Sequence, residues 1–268
     1  MIRRLLALAL LACPAALRAQ ADAPADPVPA HDTLTLASRA LGEPRRINVH
    51  VPPGYAASVA RFPVLYMPDG GLDEDFPHVV NTVDSLAALG EIRPVIVVGI
   101  PNTERRRDLT GPTRVARDST IAPHVGGSAR FRAFVRDELR PAIDARYRTT
   151  AERSIVGESL AGLFVVETFL LDPTLFDHYV AFDPSLWWNA GALVDSAPAR
   201  LAAMHAGRRT LFLASSRDGI DDRTTRLAAA LRAGGPPGFA WVYTPRPDLT
   251  HPTIFRAGAP AALAAALR

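Results

Sequence analysis

The stretch SIVGESLAGL, residues 154–163, decides how the rest of the chain is read. A short apolar run ends at Gly157, Ser159 follows two positions later, and LAGLFVVETFLL sets off at once as an apolar helix. A serine on a sharp strand-to-helix turn is lifted out of the sheet and set beside the first amides of the helix, which is how a nucleophilic hydroxyl is presented. The pattern G-x-S-x-G places glycine at 161, whereas this chain has Ala161 followed by Gly162. That position needs only a small side chain, because strand and helix approach closely there, so one extra methyl is expected to be tolerated. The plainer reading of Ser159 is a helix N-cap, a place where serine is favoured.

The surroundings of this turn point to an α/β fold. Strand-like runs recur at Arg45–Val51, Pro63–Met67, Val95–Ile100, Arg153–Val156, Tyr179–Phe182, Thr210–Ala214 and Phe239–Tyr243. Most are short, continuously apolar and bounded by Gly, Pro or Asp, as in a sheet covered on both faces. Helical patterns alternate with them at Val79–Leu89, Phe131–Ile143, Leu160–Leu171, Arg223–Ala233 and Thr253–Leu267. Such alternation predicts a doubly wound, mostly parallel sheet with helices on both faces. Ligands of such sheets sit outside the carboxyl ends of the strands.

A serine nucleophile needs a base and an acid, which in this kind of fold follow it in the order Ser, Asp or Glu, His. Of the seven histidines, His251 stands downstream of Ser159 just past a strand, in the loop PRPDLTHPT before the last helix, and is the expected base. The acid has four candidates. Asp218 is expected, as the first carboxylate after the strand Thr210–Ala214; Asp221 and Asp222 are rivals that would also cap the next helix, and Asp183 ends an earlier strand. An oxyanion hole needs two backbone amides. Leu160, directly after the serine, should supply one, and Gly71 in the loop PDGGLDED the other.

Composition removes other classes. Every one of the 30 basic residues is Arg, and Arg3, Arg4 and Arg18 fall in a first segment without acids. Without that segment 27 Arg face 27 acidic residues, so the electrostatic footprint of a nucleic-acid partner is missing. Residues 1–21 read as an export signal, with a basic start, the apolar run Leu5–Leu11 and small residues at Ala19 and Ala21. The run is too short for a membrane span. Leu10-Leu11-Ala12-Cys13 offers the alternative of a lipid anchor at Cys13, so the protein is expected to be exported, periplasmic or secreted, or else anchored as a lipoprotein. Cys13 is the single cysteine, which leaves no intramolecular disulfide. Residues 22–31, ADAPADPVPAH from Ala21, read as a disordered spacer, and residues 32–268 as the one folded domain. No H-E-x-x-H or clustered His/Asp pair appears, so neither a metal nor another cofactor is expected.

Three further runs carry a family likeness: VIVVGIPN followed by RRRDLT to Thr110, FVRDELRPAIDARYRTTAERSIVGESLAG, and DPSLWW from Asp183 to Trp188. From about Ile47 to the C-terminus the chain resembles the esterase branch of the α/β-hydrolases, which includes esterase D, the siderophore esterases and the mycolyltransferases. The resemblance implies an α/β-hydrolase fold and a serine carboxylesterase acting on a small-molecule ester, with Ser159 matching the nucleophile and His251 the base. It further implies that Arg105 and Arg107 lie near an acidic substrate, against the simpler reading of a loop ion pair with Asp108, and that Trp187 and Trp188 wall the cleft. The chain departs from the family at Glu158, where His or a similar residue is usual, at Ala161, and at Asp183, where Ser is usual. An acyltransferase using the same residues and a catalytically silent binding protein are the alternative functions.

Overall fold

The computed structural model describes residues 26–235 and 237–268. The expected export signal, the Cys13 anchor and the first part of the spacer lie outside the described residues. In chain order the elements are β1 (Asp32–Ser38), β2 (Glu43–His50), β3 (Phe62–Pro68), α1 (Phe76–Ala88), β4 (Ile96–Ile100), α2 (Arg105–Leu109), α3 (Ala116–Ser119), α4 (Ser128–Phe134), α5 (Arg140–Arg146), β5 (Thr149–Glu158), α6 (Leu160–Leu171), β6 (His178–Phe182), α7 (Ala192–Ala203), β7 (Arg209–Ser216), α8 (Asp222–Ala233), β8 (Phe239–Arg246) and α9 (His251–Ala266). The eight strands form one sheet in the order β1-β2-β4-β3-β5-β6-β7-β8. β2 runs against both of its neighbours, and every pairing from β4 to β8 is parallel.

Alternation along the central strand separates two apolar layers. Ile155 joins the layer formed with α4 to α8, where Phe131, Phe134, Phe164 and Leu227 are buried. Val156 joins the opposite layer, built from α1 and α9 with Phe76, Val80, Ile254 and Phe255. The sheet is thus covered on both faces, as the continuously apolar strands require. Helix α6 is buried from Leu160 to Leu170, which explains why its sequence is apolar all round; its one acid, Glu167, is paired with the buried Arg132 at 2.8 Å.

All seven expected strands are present, and β1 is added. Its sequence DTLTLAS alternates, with Leu34 and Leu36 half-buried against the core, so it lacks the continuous apolar run that marks an inner strand. The spacer reading needs correction over its described part. Residues 26–31 lie along the body: Asn81 donates to Pro27 O at 2.9 Å, His50 Nδ1 bonds Ala30 O at 2.8 Å, and Asp26 pairs with Arg256. Among the described residues no helix is long and apolar enough to cross a membrane.

Candidate active site

The carboxyl ends of four adjacent strands supply the site. Ser159 follows β5, Asp183 follows β6, Asp218 follows β7 and His251 follows β8. All four line one cleft of about 390 Å³, with Arg105, Leu160, Ser185 and Trp187.

Ser159 sits in a conformation that few side chains adopt, with φ 59° and ψ −117°. The turn is fixed from three sides: its amide donates to Phe182 O at 3.0 Å, and its carbonyl accepts from Leu163 at 2.8 Å and from Ser185 at 3.0 Å. Backbone strain of this kind costs about 1–3 kcal/mol and persists where surrounding bonds over-determine it. The glycine requirement falls at 157 and 162. A Cβ on Gly157 would lie 2.7 Å from Ala161 Cβ, and one on Gly162 would lie 2.8 Å from Phe182 O. Ala161 is accommodated because Gly157 opposite it carries no side chain. Ser159 makes no side-chain capping bond, so the N-cap reading does not describe it. Its hydroxyl lies 3.4 Å from Ser185 Oγ. Relief of the strain gives one test. Ser159→Gly should melt roughly 2–4 °C above Ser159→Ala, because glycine adopts the turn freely. Equal melting temperatures in thermal unfolding would show that no strain is stored there.

The acid is corrected by the structure. Asp183 Oδ2, not Asp218, meets His251 Nδ1, at 3.0 Å. Asp183 is also held by Ser216, whose amide donates to Oδ1 at 2.6 Å and whose hydroxyl donates to Oδ2 at 2.5 Å. Its side chain is 1 % exposed, against 42 % for His251, so the pair presents a buried acid and an accessible base. Burial alone would raise the Asp183 carboxyl, yet the bonds from His251 and Ser216 hold it below the usual carboxylate value. Its negative charge accepts from Nδ1–H, which leaves the Nε2 lone pair of His251 free. The bond to Asp183 raises His251 above the ordinary imidazole value, against the opposing effect of burial.

Asp218 takes a different part: its Oδ2 accepts from the His251 backbone amide at 2.9 Å, at the start of α9. Asp221 caps α8 through the Thr224 amide at 2.9 Å, and Asp222 is exposed and pairs with Arg226. Gly219 shows how closely Asp183 is enclosed, since a Cβ there would lie 2.1 Å from Asp183 Oδ1.

Three other expected site residues are displaced. The Gly71 amide donates to Glu74 Oε2 at 2.7 Å and Gly71 does not line the cleft, whereas Leu160, in the first turn of α6, does. Arg107 is bound to Glu43 at 2.6 Å and to Asp108 at 2.7 Å away from the serine, which is the loop ion-pair reading. Trp188 is buried, with Nε1 donating to Gly111 O at 2.8 Å, so it is a core residue with a satisfied polar tip. Trp187, 45 % exposed, does wall the cleft. Arg105 also lines it, but its guanidinium is held bidentately by Asp69, with both contacts at 2.7 Å. Ser185 and Ser216 are the site neighbours that sequence reading missed; both abut an acidic or nucleophilic position only after the strands are laid side by side.

The pattern of the family described as "Putative esterase" matches residues 38–231. The chain is similar to ferri-bacillibactin esterase BesA of Bacillus subtilis (strain 168), 29% identical over 179 residues that cover 60% of this chain and 61% of BesA. It is also similar to the siderophore triacetylfusarinine C esterase of Aspergillus fumigatus, 32% identical over 114 residues, covering 39% of this chain and 37% of that protein. The matched segments therefore span less than two thirds of either relative. Among solved structures, an IroE-like serine hydrolase from Shewanella oneidensis superposes with a TM-score of 0.81 at 28% identity, over 88% of this chain and 79% of that one. Siderophore hydrolase EstB from Aspergillus nidulans shares the fold, with a TM-score of 0.76 at 20% identity over 90% and 96% of the two chains.

Proposed function

Since the chain belongs to this esterase family of α/β-hydrolases, we propose that it is a serine hydrolase that cleaves carboxylic esters through an acyl-serine intermediate. The observation that carries the reading is the buried Asp183 carboxylate at His251 Nδ1, in the cleft that also holds the strained Ser159. His251 Nε2 takes the hydroxyl proton as Ser159 Oγ attacks the ester carbonyl, and the imidazolium is stabilised across the bond to Asp183. The carbonyl electron pair moves onto oxygen, where the Leu160 amide and the N-terminus of α6 oppose the developing charge. His251 returns the proton to the departing alcohol. Water then attacks the acyl-serine by the same route, with His251 again as base, and the acid product leaves.

The names of the relatives support a siderophore-type ester as substrate. The cleft suits a bulky ester, because its base and the Trp187 ring are both open to solvent while the acid is sealed beneath. The basic and apolar character of residues 1–21 supports an exported enzyme working in the periplasm or outside the cell.

Purified protein offered aryl esters of several chain lengths and a ferric tri-ester siderophore should hydrolyse both classes, the siderophore to its linear acid. Binding of the siderophore without turnover of any ester would favour a silent binding protein. Transfer of the acyl group to an added alcohol in preference to water would favour an acyltransferase.

A further inference from the structure

Glu158 is the last residue of β5 and the immediate neighbour of Ser159. Strand alternation sets its direction. Val156, two residues earlier, belongs to the layer that contains Ile254 and Phe255 of α9, whereas Ile155 belongs to the other layer. Across the parallel ladder Glu158 is partnered by Phe182, whose ring packs edge-on against Phe255 at 5.3 Å. Glu158 therefore leans to the side covered by α1 and α9, at the end where Asp75 precedes α1 and His251 opens α9. One of its carboxyl oxygens, Oε1, is buried without a hydrogen-bond partner. A buried acceptor is expensive to leave unpaired, and position 158 precedes the nucleophile directly.

We propose that Glu158 is a second carboxylate for His251, a positioning residue whose charge compensates the imidazolium formed when His251 takes the Ser159 proton. The inference rests on the serine-esterase reading. In that step the Ser159 O–H bond breaks, its proton goes to Nε2, and the Oγ–carbon bond forms. Glu158 neither gives nor accepts a proton during the step; it supplies only field. Asp183 does the same through the hydrogen bond to Nδ1.

The charged and titratable groups around Glu158 set when that field is present. Asp69 and Glu74 face the region from the loop after β3, Asp75 from the start of α1, Asp183 from the end of β6, and His251 from α9; Arg105 of α2 and Arg256 of α9 are the cations. Burial first pushes Glu158 up to about 7, the His251 charge opposes this, and Asp75, Asp183 and Asp69 add to the rise. Burial and Asp69 push Asp75 up to about 6, so that carboxyl sheds its proton before Glu158 does. Below about 7 Glu158 is neutral and His251 is left with Asp183 and, at the start of α9, Asp218; above it Glu158 is charged and makes the imidazolium easier to form. The two groups lose their protons as a pair, so the base reaches full strength only after both have titrated.

The test compares the wild type with Glu158→Gln, an isosteric change that removes the charge. His251 is followed by NMR titration of its imidazole carbons, and kcat/KM by rate measurements between about pH 5 and 9. The expected result has three parts. The His251 midpoint falls, the acid limb of the rate profile contracts from two overlapping ionisations to one, and kcat/KM on the alkaline plateau drops by about three- to tenfold. Glu158→Asp, which keeps the charge, retains the two-step limb. Should the amide variant fail to accumulate as folded protein, Glu158→Ala serves for the same comparison. An unchanged His251 midpoint and limb in a folded variant overturns the proposal. The NMR midpoint reads the pairing without turnover, so it stays separate from the serine-esterase reading, which falls if His251→Ala retains normal hydrolysis.

Discussion

Replacing Ser159 with alanine is expected to leave a folded protein whose kcat for ester hydrolysis is about a millionfold lower. The fold should survive because the turn is held by backbone bonds to Phe182, Leu163 and Ser185, none of which uses the hydroxyl. The loss should be large because no neighbour can replace the nucleophile. Ser185 Oγ lies 3.4 Å from it, but Ser185 is off the strand-to-helix turn and does not open a helix. Circular dichroism and a melting curve report the fold, and steady-state hydrolysis of an aryl ester reports the loss. A folded Ser159→Ala protein with near-normal turnover would remove the nucleophile assignment.

Asp183→Asn is expected to lower kcat by about ten-thousandfold. An amide at that position can present N–H toward Nδ1, which stabilises the imidazole tautomer that carries its proton on Nε2 and so cannot accept from the serine. Asp218→Asn should behave differently. Asp218 accepts from the His251 main-chain amide, and an amide oxygen can still do so, so the change should cost under about 1 kcal/mol of stability and little activity. Measuring kcat and melting temperature for both variants separates an acid from a helix-end contact. A larger kcat loss at Asp218 than at Asp183 would show that the bond in the structure is not the one used in the reaction. The same pair fixes a pH dependence of opposite sign for stability and activity. The folded state raises His251, so the ion pair stabilises fully below the unfolded imidazole value and is lost as pH rises through the folded one, while the neutral base needed for attack appears over that same rise.

Much of this arrangement is legible from local signals. The inner strands β3 to β7 and the helix α6 carry apolar runs, and their alternation with amphipathic helices fixes a sheet covered on both faces. The strand-to-helix corner at Ser159 and the late loop holding His251 can be found because each depends on its own few residues. The acid cannot be found that way. Asp183 and Asp218 each follow an expected strand, and preferring Asp183 requires knowing that β6 sits between β5 and β7, with Ser216 of β7 reaching across to hold its carboxylate. Gly71 fails for a similar reason: a flexible glycine in a loop is visible in sequence, but the Glu74 carboxylate that takes its amide is a matter of loop closure. The two adjacent tryptophans divide because the chain enters a short helical turn there, which turns Trp188 inward to Gly111 and leaves Trp187 at the rim. That Glu158 lies on the side of His251 follows from alternation along β5 together with the return of α9, which only the packed fold shows.

The central claim is that Ser159 is a nucleophile activated by a base held on Asp183. Covalent trapping with a fluorophosphonate tests it most directly, because the phosphorus mimics the attacked carbonyl and stays on the oxygen that attacks it. The account predicts a single adduct per chain, mapped by peptide mass spectrometry to Ser159, forming far more slowly in His251→Ala and Asp183→Asn and at nearly the native rate in Asp218→Asn. An adduct at another residue, or labelling of Ser159 at the same rate in all four proteins, would contradict it.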